Sequence, residues 1–208
     1  DGDTGYGGLL NVQRTVRGYE QAGAVAIQLE DQKIPKKCGH TPNRRVIPVD
    51  DMVAKIRVAV AARESENFLV IARTDARTQY GLAEAIGRGQ AFAKAGADVV
   101  FVEAPESVDE MIEICREIDG PLMANMVNGG KTPLLSAEEL KDLGYQIVIF
   151  PGTAFLAAGS AVQSVYQHLK ATGSSRGLPT PLYDFEEFNR LMGFEEVWAF
   201  EKKWTDPS

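Results

Sequence analysis

Residues 22–30 read Ala-Gly-Ala-Val-Ala-Ile-Gln-Leu-Glu, and residues 95–103 read Ala-Gly-Ala-Asp-Val-Val-Phe-Val-Glu. A third copy, Leu-Gly-Tyr-Gln-Ile-Val-Ile-Phe-Pro, occupies residues 143–151. Each begins with a glycine suited to closing a helix, continues as a short apolar run, and sets a distinctive residue seven places after that glycine. Short runs rich in β-branched residues and bounded by turn signals read as buried parallel strands. Two further runs, 68–72 (FLVIA) and 121–124 (PLMA), have the same character. Strands are therefore expected at 24–29, 68–72, 98–102, 121–124 and 146–150.

Helical patterns separate them, at residues 11–22, 49–63, 82–95, 107–118, 136–143 and 154–172. Asp50 and Asp51 follow Pro48, Ser107 suits an N-cap, and Ser136 with Glu139 forms a capping-box pattern. Strand ends fall near Asp3, Glu30, Arg73, Glu103, Asn125 and Pro151. Strict β/α alternation with polar residues at the strand ends predicts an α/β fold of the (β/α)8 TIM type, whose chemistry sits at the C-terminal ends of the strands. Five complete strands and the end of a sixth are countable. A typical barrel needs about 250 residues. The expectation is a barrel lacking its first two strands and most of the third, truncated before Asp1. Residues 1–172 would be the partial barrel and catalytic domain. Residues 173–208 would be a linker and an apolar helical tail that packs on a neighbouring subunit.

Composition narrows the function. The 208 residues carry 22 Lys and Arg against 29 Asp and Glu, a formal net charge of −7. That balance argues against nucleic acid as a partner. No apolar run reaches the ~18 residues of a membrane span, and no secretory signal opens the chain. Cys38 and Cys115 make no disulfide framework, so a reducing cytoplasm is expected.

Asp1, Asp3, Glu30 and Asp31 fall at adjacent strand ends, where they would converge and repel. A hard divalent cation such as Mg²⁺ relieves that repulsion; N-capping or solvated loop acids are the alternative. The loop that follows reads Gln32-Lys33-Ile34-Pro35-Lys36-Lys37-Cys38-Gly39-His40. A cysteine beside two lysines has the cationic surroundings of a reactive thiol, and it can act as nucleophile or acid/base. An ordinary exposed thiol is the alternative. Arg73 offers a fork to a carboxylate or phosphate, or else pairs with Asp75 or Glu103. Glu103 could position a substrate hydroxyl or Arg73, and Asn125 offers an amide. Cys115 and His168 read as structural.

These residues resemble the isocitrate lyase/phosphoenolpyruvate mutase superfamily. The likeness spans nearly the whole chain through DGDTGYGG (1–8), QLEDQ (28–32), PKKCGH (35–40), ARTDA (72–76), VEAP (102–105), ANMVNGGKTP (124–133) and FPGTAF (150–155). The resemblance implies a (β/α)8 barrel with a swapped C-terminal helix, assembled as a dimer of dimers, and further family residues before the DGDTG box. It implies Asp1 and Asp3 as the carboxylates for Mg²⁺, with Glu30 reaching the metal through water and Mn²⁺ as a substitute. Cys38 would be a mobile-loop acid/base, and Arg73 and Glu103 catalytic. Gly39, His40 and Asn125 would bind substrate.

The implied reaction is carbon–carbon cleavage of a small 2-hydroxy or 2-oxo dicarboxylate through an enolate. Cys38 argues against the phosphonate mutases and hydrolases. Methylisocitrate lyases typically read T-E-F-G where this chain has Val127-Asn128-Gly129-Gly130, and an Arg where it has Leu156. A dimethylmalate or oxaloacetate type of substrate is therefore preferred. Methylisocitrate lyase, a carboxyvinyl-carboxyphosphonate phosphorylmutase or phosphonopyruvate hydrolase type of enzyme, and an inactive barrel fragment are the alternatives.

Overall fold

The structure, a computed structural model, describes residues 1–39 and 43–205. Two compact units are present, Asp1–Thr153 and Ala154–Ser208. The first alternates helices and strands: α1 (Leu9–Gln21), β1 (Ala26–Glu30), α2 (Val49–Ala62), β2 (Leu69–Thr74), α3 (Arg77–Tyr80), α4 (Leu82–Lys94), β3 (Val99–Val102), α5 (Val108–Glu117), β4 (Leu122–Asn125), α6 (Ala137–Leu143) and β5 (Ile147–Ile149). The strands form one parallel sheet in chain order, β1-β2-β3-β4-β5, which makes a curled half-barrel. Residues 1–3 extend this ladder. Gly2 N donates to Gln28 O at 2.8 Å and Glu30 N donates to Asp3 O at 2.9 Å. The segment expected as the end of a sixth strand is thus hydrogen-bonded beside β1 without forming a strand of its own.

The two-residue period of the strands divides the core. Ile27, Leu29, Val70, Ala72, Val100, Val102, Leu122 and Ala124 face the helices, where they meet Val16, Ile56, Phe92 and Ile114. Ile71, Val99, Phe101 and Met123 face the opposite side, the interior of the half-barrel. Every residue of β3 is buried, which is why it reads as an unbroken apolar run. Full burial of each such side chain contributes about 1.5–3 kcal/mol.

Helix ends follow the sequence signals. Ser107 and Ser136 accept from the backbone of Glu110 and Glu139, and Ser136 and Glu139 complete a capping box. The short α3 was not anticipated, since four residues leave no periodic pattern.

The second unit holds α7 (Thr153–Thr172, which begins on the last residue of the first unit), α8 (Phe185–Leu191) and α9 (Phe194–Trp204). The apolar tail is thus two helices. Asp184 caps α8 through the backbone of Glu186 and Glu187, and Gly193 breaks the path with φ +79°, a conformation glycine adopts without strain. No helix of the described residues is long and apolar enough to cross a membrane.

Candidate active site

The same period places the polar residues. Counting in twos from the interior positions Ala26, Ile71, Phe101 and Met123 gives Glu30, Arg73, Glu103 and Asn125. All four therefore stand on the inner face at the C-terminal ends of β1, β2, β3 and β4. Parallel register sets Glu30 beside Arg73 and Arg73 beside Phe101. The Arg73 guanidinium lies 5.2 Å from the centre of the Phe101 ring, which gives it a cation–π floor.

Arg73 is the hub. Its Nε and Nη2 donate to the two Asp75 oxygens at 3.0 and 2.9 Å. Its other edge faces Glu30 Oε2 at 3.6 Å and Glu103 Oε2 at 3.5 Å. Burial works against its charge, but Glu103, Asp75 and Glu30 outweigh it and raise the pKa above the ordinary arginine value. Asn125 Nδ2 donates to the Glu103 carboxylate at 3.3 and 3.4 Å. Ala104, next in the chain, is buried with φ +61°. That conformation is costly for a residue with a Cβ, and it turns the chain away immediately after Glu103.

Asp1, Asp3 and Glu30 converge on the Lys36 ammonium. Lys36 Nζ forms a short ion pair with Asp3 Oδ1 and lies 3.5 Å from Glu30 Oε2 and 3.8 Å from Asp1 Oδ2. Asp3 N also donates to Asp1 Oδ1 at 2.8 Å. Burial raises the Glu30 carboxyl pKa and the Asp75 charge adds to it, opposed by Arg73 and Lys36. Asp31 belongs elsewhere. One residue further along the strand, it faces the helix side and accepts from Thr74 Oγ1, Asp75 N and Arg88 Nη1 at 2.8, 2.9 and 3.1 Å. Burial pushes its carboxyl up to about 6, against those hydrogen bonds and the Arg88 charge.

The loop after β1 lies over this floor. Gln32 clamps it, donating to Lys37 O at 2.8 Å and accepting from Lys37 N at 2.9 Å. Gly39 packs directly on the hub: a Cβ there would stand 2.5 Å from Arg73 Nη2 and 2.7 Å from Glu103 Cδ. Only a residue without a side chain lets the backbone come so close. Cys38 is exposed. A cavity of about 340 Å³ brings Asp1, Glu30, Lys36, Cys38, Gly39, Arg73, Glu103 and Asn125 together. His40 lies outside the described residues. Lys36 and Asp75 are the site residues that sequence reasoning passed over. Lys36 was legible only as a neighbour of Cys38, and Asp75 only as a possible partner of Arg73.

A metal is implied by the acids. Among the described residues, no group of three or more His, Cys, Asp or Glu is drawn together tightly enough to hold an ion. The donor chemistry nevertheless fits: three hard carboxylates already surround one positive charge, and the buried Glu30 Oε1 has no hydrogen-bond partner.

Parallel strands in chain order, with acids, an arginine and an amide at their C-terminal ends, have the arrangement of a barrel-type enzyme site. The family model for phosphoenolpyruvate phosphomutase matches residues 1–170. The 2,3-dimethylmalate lyase of Eubacterium barkeri is 46% identical over 205 residues, 99% of this chain and 71% of that protein. The 2-methylisocitrate lyase of Aeropyrum pernix is 44% identical over 203 residues, 98% of this chain and 64% of that protein. Among solved structures, 2,3-dimethylmalate lyase superposes with a TM-score of 0.87 at 37% identity, over 98% of this chain and 68% of that one. Oxaloacetate acetylhydrolase with the inhibitor 3,3-difluorooxalacetate superposes with 0.89 at 31%, over 99% and 70%. Phosphonopyruvate hydrolase with oxalate and Mg²⁺ superposes with 0.82 at 32%, over 98% and 71%. The chain belongs to the phosphoenolpyruvate mutase/isocitrate lyase superfamily, and its matching relatives include named lyases. It spans between 64% and 71% of the lengths of these proteins.

Proposed function

We propose that the protein is a divalent-cation-dependent lyase that cleaves a carbon–carbon bond in a small 2-hydroxy or 2-oxo dicarboxylate, with Cys38 as acid/base. The observation that carries this reading is the shared cavity: Cys38, Lys36, two of the acids around it (Asp1 and Glu30) and the Arg73 hub all line about 340 Å³. That volume suits a small, highly polar ligand.

Asp1, Asp3 and Glu30 would hold the cation, Mg²⁺ or in its place Mn²⁺. When bound, such an ion would polarise substrate oxygens and stabilise charge that develops on them. The remaining roles belong to the chain. Arg73, fixed by Asp75 and seated on Phe101, would hold a substrate carboxylate and the enolate oxygen that forms beside it. Glu103 and Asn125 orient the substrate hydroxyl. A carboxylate of the cradle receives the hydroxyl proton as the carbon–carbon bond breaks to a carbonyl and an enolate; for a 2-oxo acid one water first adds to the keto group, and the hydrate supplies that hydroxyl. Cys38 then gives its proton to the enolate carbon. Gly39 and His40 would bind the substrate.

Dimethylmalate or oxaloacetate type substrates are preferred. Leu156 stands where methylisocitrate lyases typically carry an arginine, and two of the three solved structures superposed above are named for a dimethylmalate and an oxaloacetate enzyme. The 44% identity to a 2-methylisocitrate lyase favours a second reading with a tricarboxylate. Residues 173–208 would serve a homo-oligomer, since Phe185, Trp198 and Trp204 of that segment are exposed.

Replacing Cys38 by serine tests the acid/base role. Turnover is expected to fall at least about a thousandfold while Mn²⁺ binding stays within a factor of about two. Turnover close to that of the unaltered protein would remove Cys38 from the mechanism.

A further inference from the structure

Lys36 is where a divalent cation would be needed. Its ammonium pairs with Asp3, with Glu30 Oε2 at 3.5 Å and Asp1 Oδ2 at 3.8 Å, so all three acids of the cradle face it, Glu30 sharing its charge with Arg73. One ammonium cancels one of three negative charges. It donates hydrogen bonds but cannot be ligated, whereas a divalent ion cancels two and takes lone pairs directly. The two cations cannot share the cradle at close range, because like charges repel strongly where water is displaced. Lys36 is not a free surface lysine that could step aside unnoticed. Its next neighbour, Lys37, is clamped at both backbone groups by Gln32, and Cys38 and Gly39 follow at once on the Arg73 floor.

We propose that the Lys36 ammonium and the divalent cation compete for the cradle of Asp1, Asp3 and Glu30, so that cation entry expels Lys36 and shifts the loop carrying Cys38. The proposal rests on the reading of those three acids as the cation site. It makes the loop a sensor of metal: a cradle filled by Lys36 keeps Cys38 in one position, and a cradle filled by metal releases it to another. Charge in the cradle would thereby order the cycle, with cation first and loop rearrangement after.

The experiment titrates Mn²⁺ into the protein and reads free Mn²⁺ by electron paramagnetic resonance. The variants are Lys36→Met, Lys36→Gln and Asp3→Asn, each checked for folding by circular dichroism. A parallel arm follows alkylation of Cys38 by iodoacetamide with and without Mn²⁺, in a Cys115→Ala background. Both Lys36 variants are expected to bind Mn²⁺ about tenfold more tightly, since each removes a competing charge. Asp3→Asn is expected to bind weakly, and Mn²⁺ is expected to change the alkylation rate only where Lys36 is present. Equal or weaker binding by the Lys36 variants, with Asp3→Asn still impaired, overturns the competition and leaves the cation site standing. An alkylation rate indifferent to Mn²⁺ in the unaltered protein overturns the coupling to the loop. Binding unaffected by Asp3→Asn, or no binding by any form, removes the cation site and the proposal with it.

Discussion

Asp75 holds the Arg73 hub in place, although it lines none of the cavity. It is fully buried, accepts from both Nε and Nη2 of Arg73, and accepts from Arg44 Nη1 at 2.5 Å. One carboxylate between two guanidinium groups fixes the angle of Arg73 and ties the far end of the Cys38 loop to the same point. Asp75→Asn leaves one acceptor for two buried cations. The expected cost is about 3 kcal/mol in urea unfolding, with kcat/KM down at least about a hundredfold as Arg73 swings toward Glu103. A variant as stable as the parent would show that Arg44 and Arg73 do not depend on Asp75. This kind of role is hard to read from sequence. Glu30, Arg73, Glu103 and Asn125 were legible because each ends an apolar run, and a two-residue period carries all four to one face. Asp75 and Lys36 lie outside the strands, where no period operates and only the folded chain decides what they meet.

Elements were legible in proportion to their length and their caps. The five strands and the six longer helices of the sequence reading are all present, with ends displaced by at most about two residues, which is ordinary fraying. The apolar spacing of the tail continues across Gly193 and does not mark a break, whereas Met192 and the positive φ of Gly193 separate α8 from α9. Cys115 shows how two elements meet. It lies on α5 against Gly144, which closes α6, where an added Cβ would come within 3.3 Å of Cys115 Cβ. Burial pushes the Cys115 thiol up to about 11, partly offset by a hydrogen bond with Tyr145. A raised thiol pKa favours the neutral form in the folded chain. This contribution to stability is whole below the ordinary value of 9.0 and is lost as pH rises through about 11. Melting curves from pH 8 to 11 should therefore fall more steeply for the parent than for Cys115→Ala. Parallel curves would mean that Cys115 ionises without straining this contact.

At the scale of the whole molecule, curvature does the chemical work. A parallel sheet in simple chain order brings residues separated by more than ninety positions, Glu30 and Asn125, to one rim. Acid, arginine and amide become neighbours there without any of them being near in sequence. The class of enzyme follows from that rim, while the choice among small acids depends on few atoms, so the fold speaks clearly about enzyme class and faintly about substrate. The central claim is metal-dependent cleavage of a small diacid, and a coupled assay of the purified protein tests it most directly. 2,3-Dimethylmalate, oxaloacetate, 2-methylisocitrate and phosphonopyruvate are offered in turn, with Mg²⁺ and then with EDTA, and pyruvate, oxalate, succinate and phosphate are measured. Pyruvate or oxalate formed from the small diacids with Mg²⁺, and abolished by EDTA, is the predicted result. Turnover that EDTA leaves intact, release of phosphate alone, or no product from any of the four would contradict it.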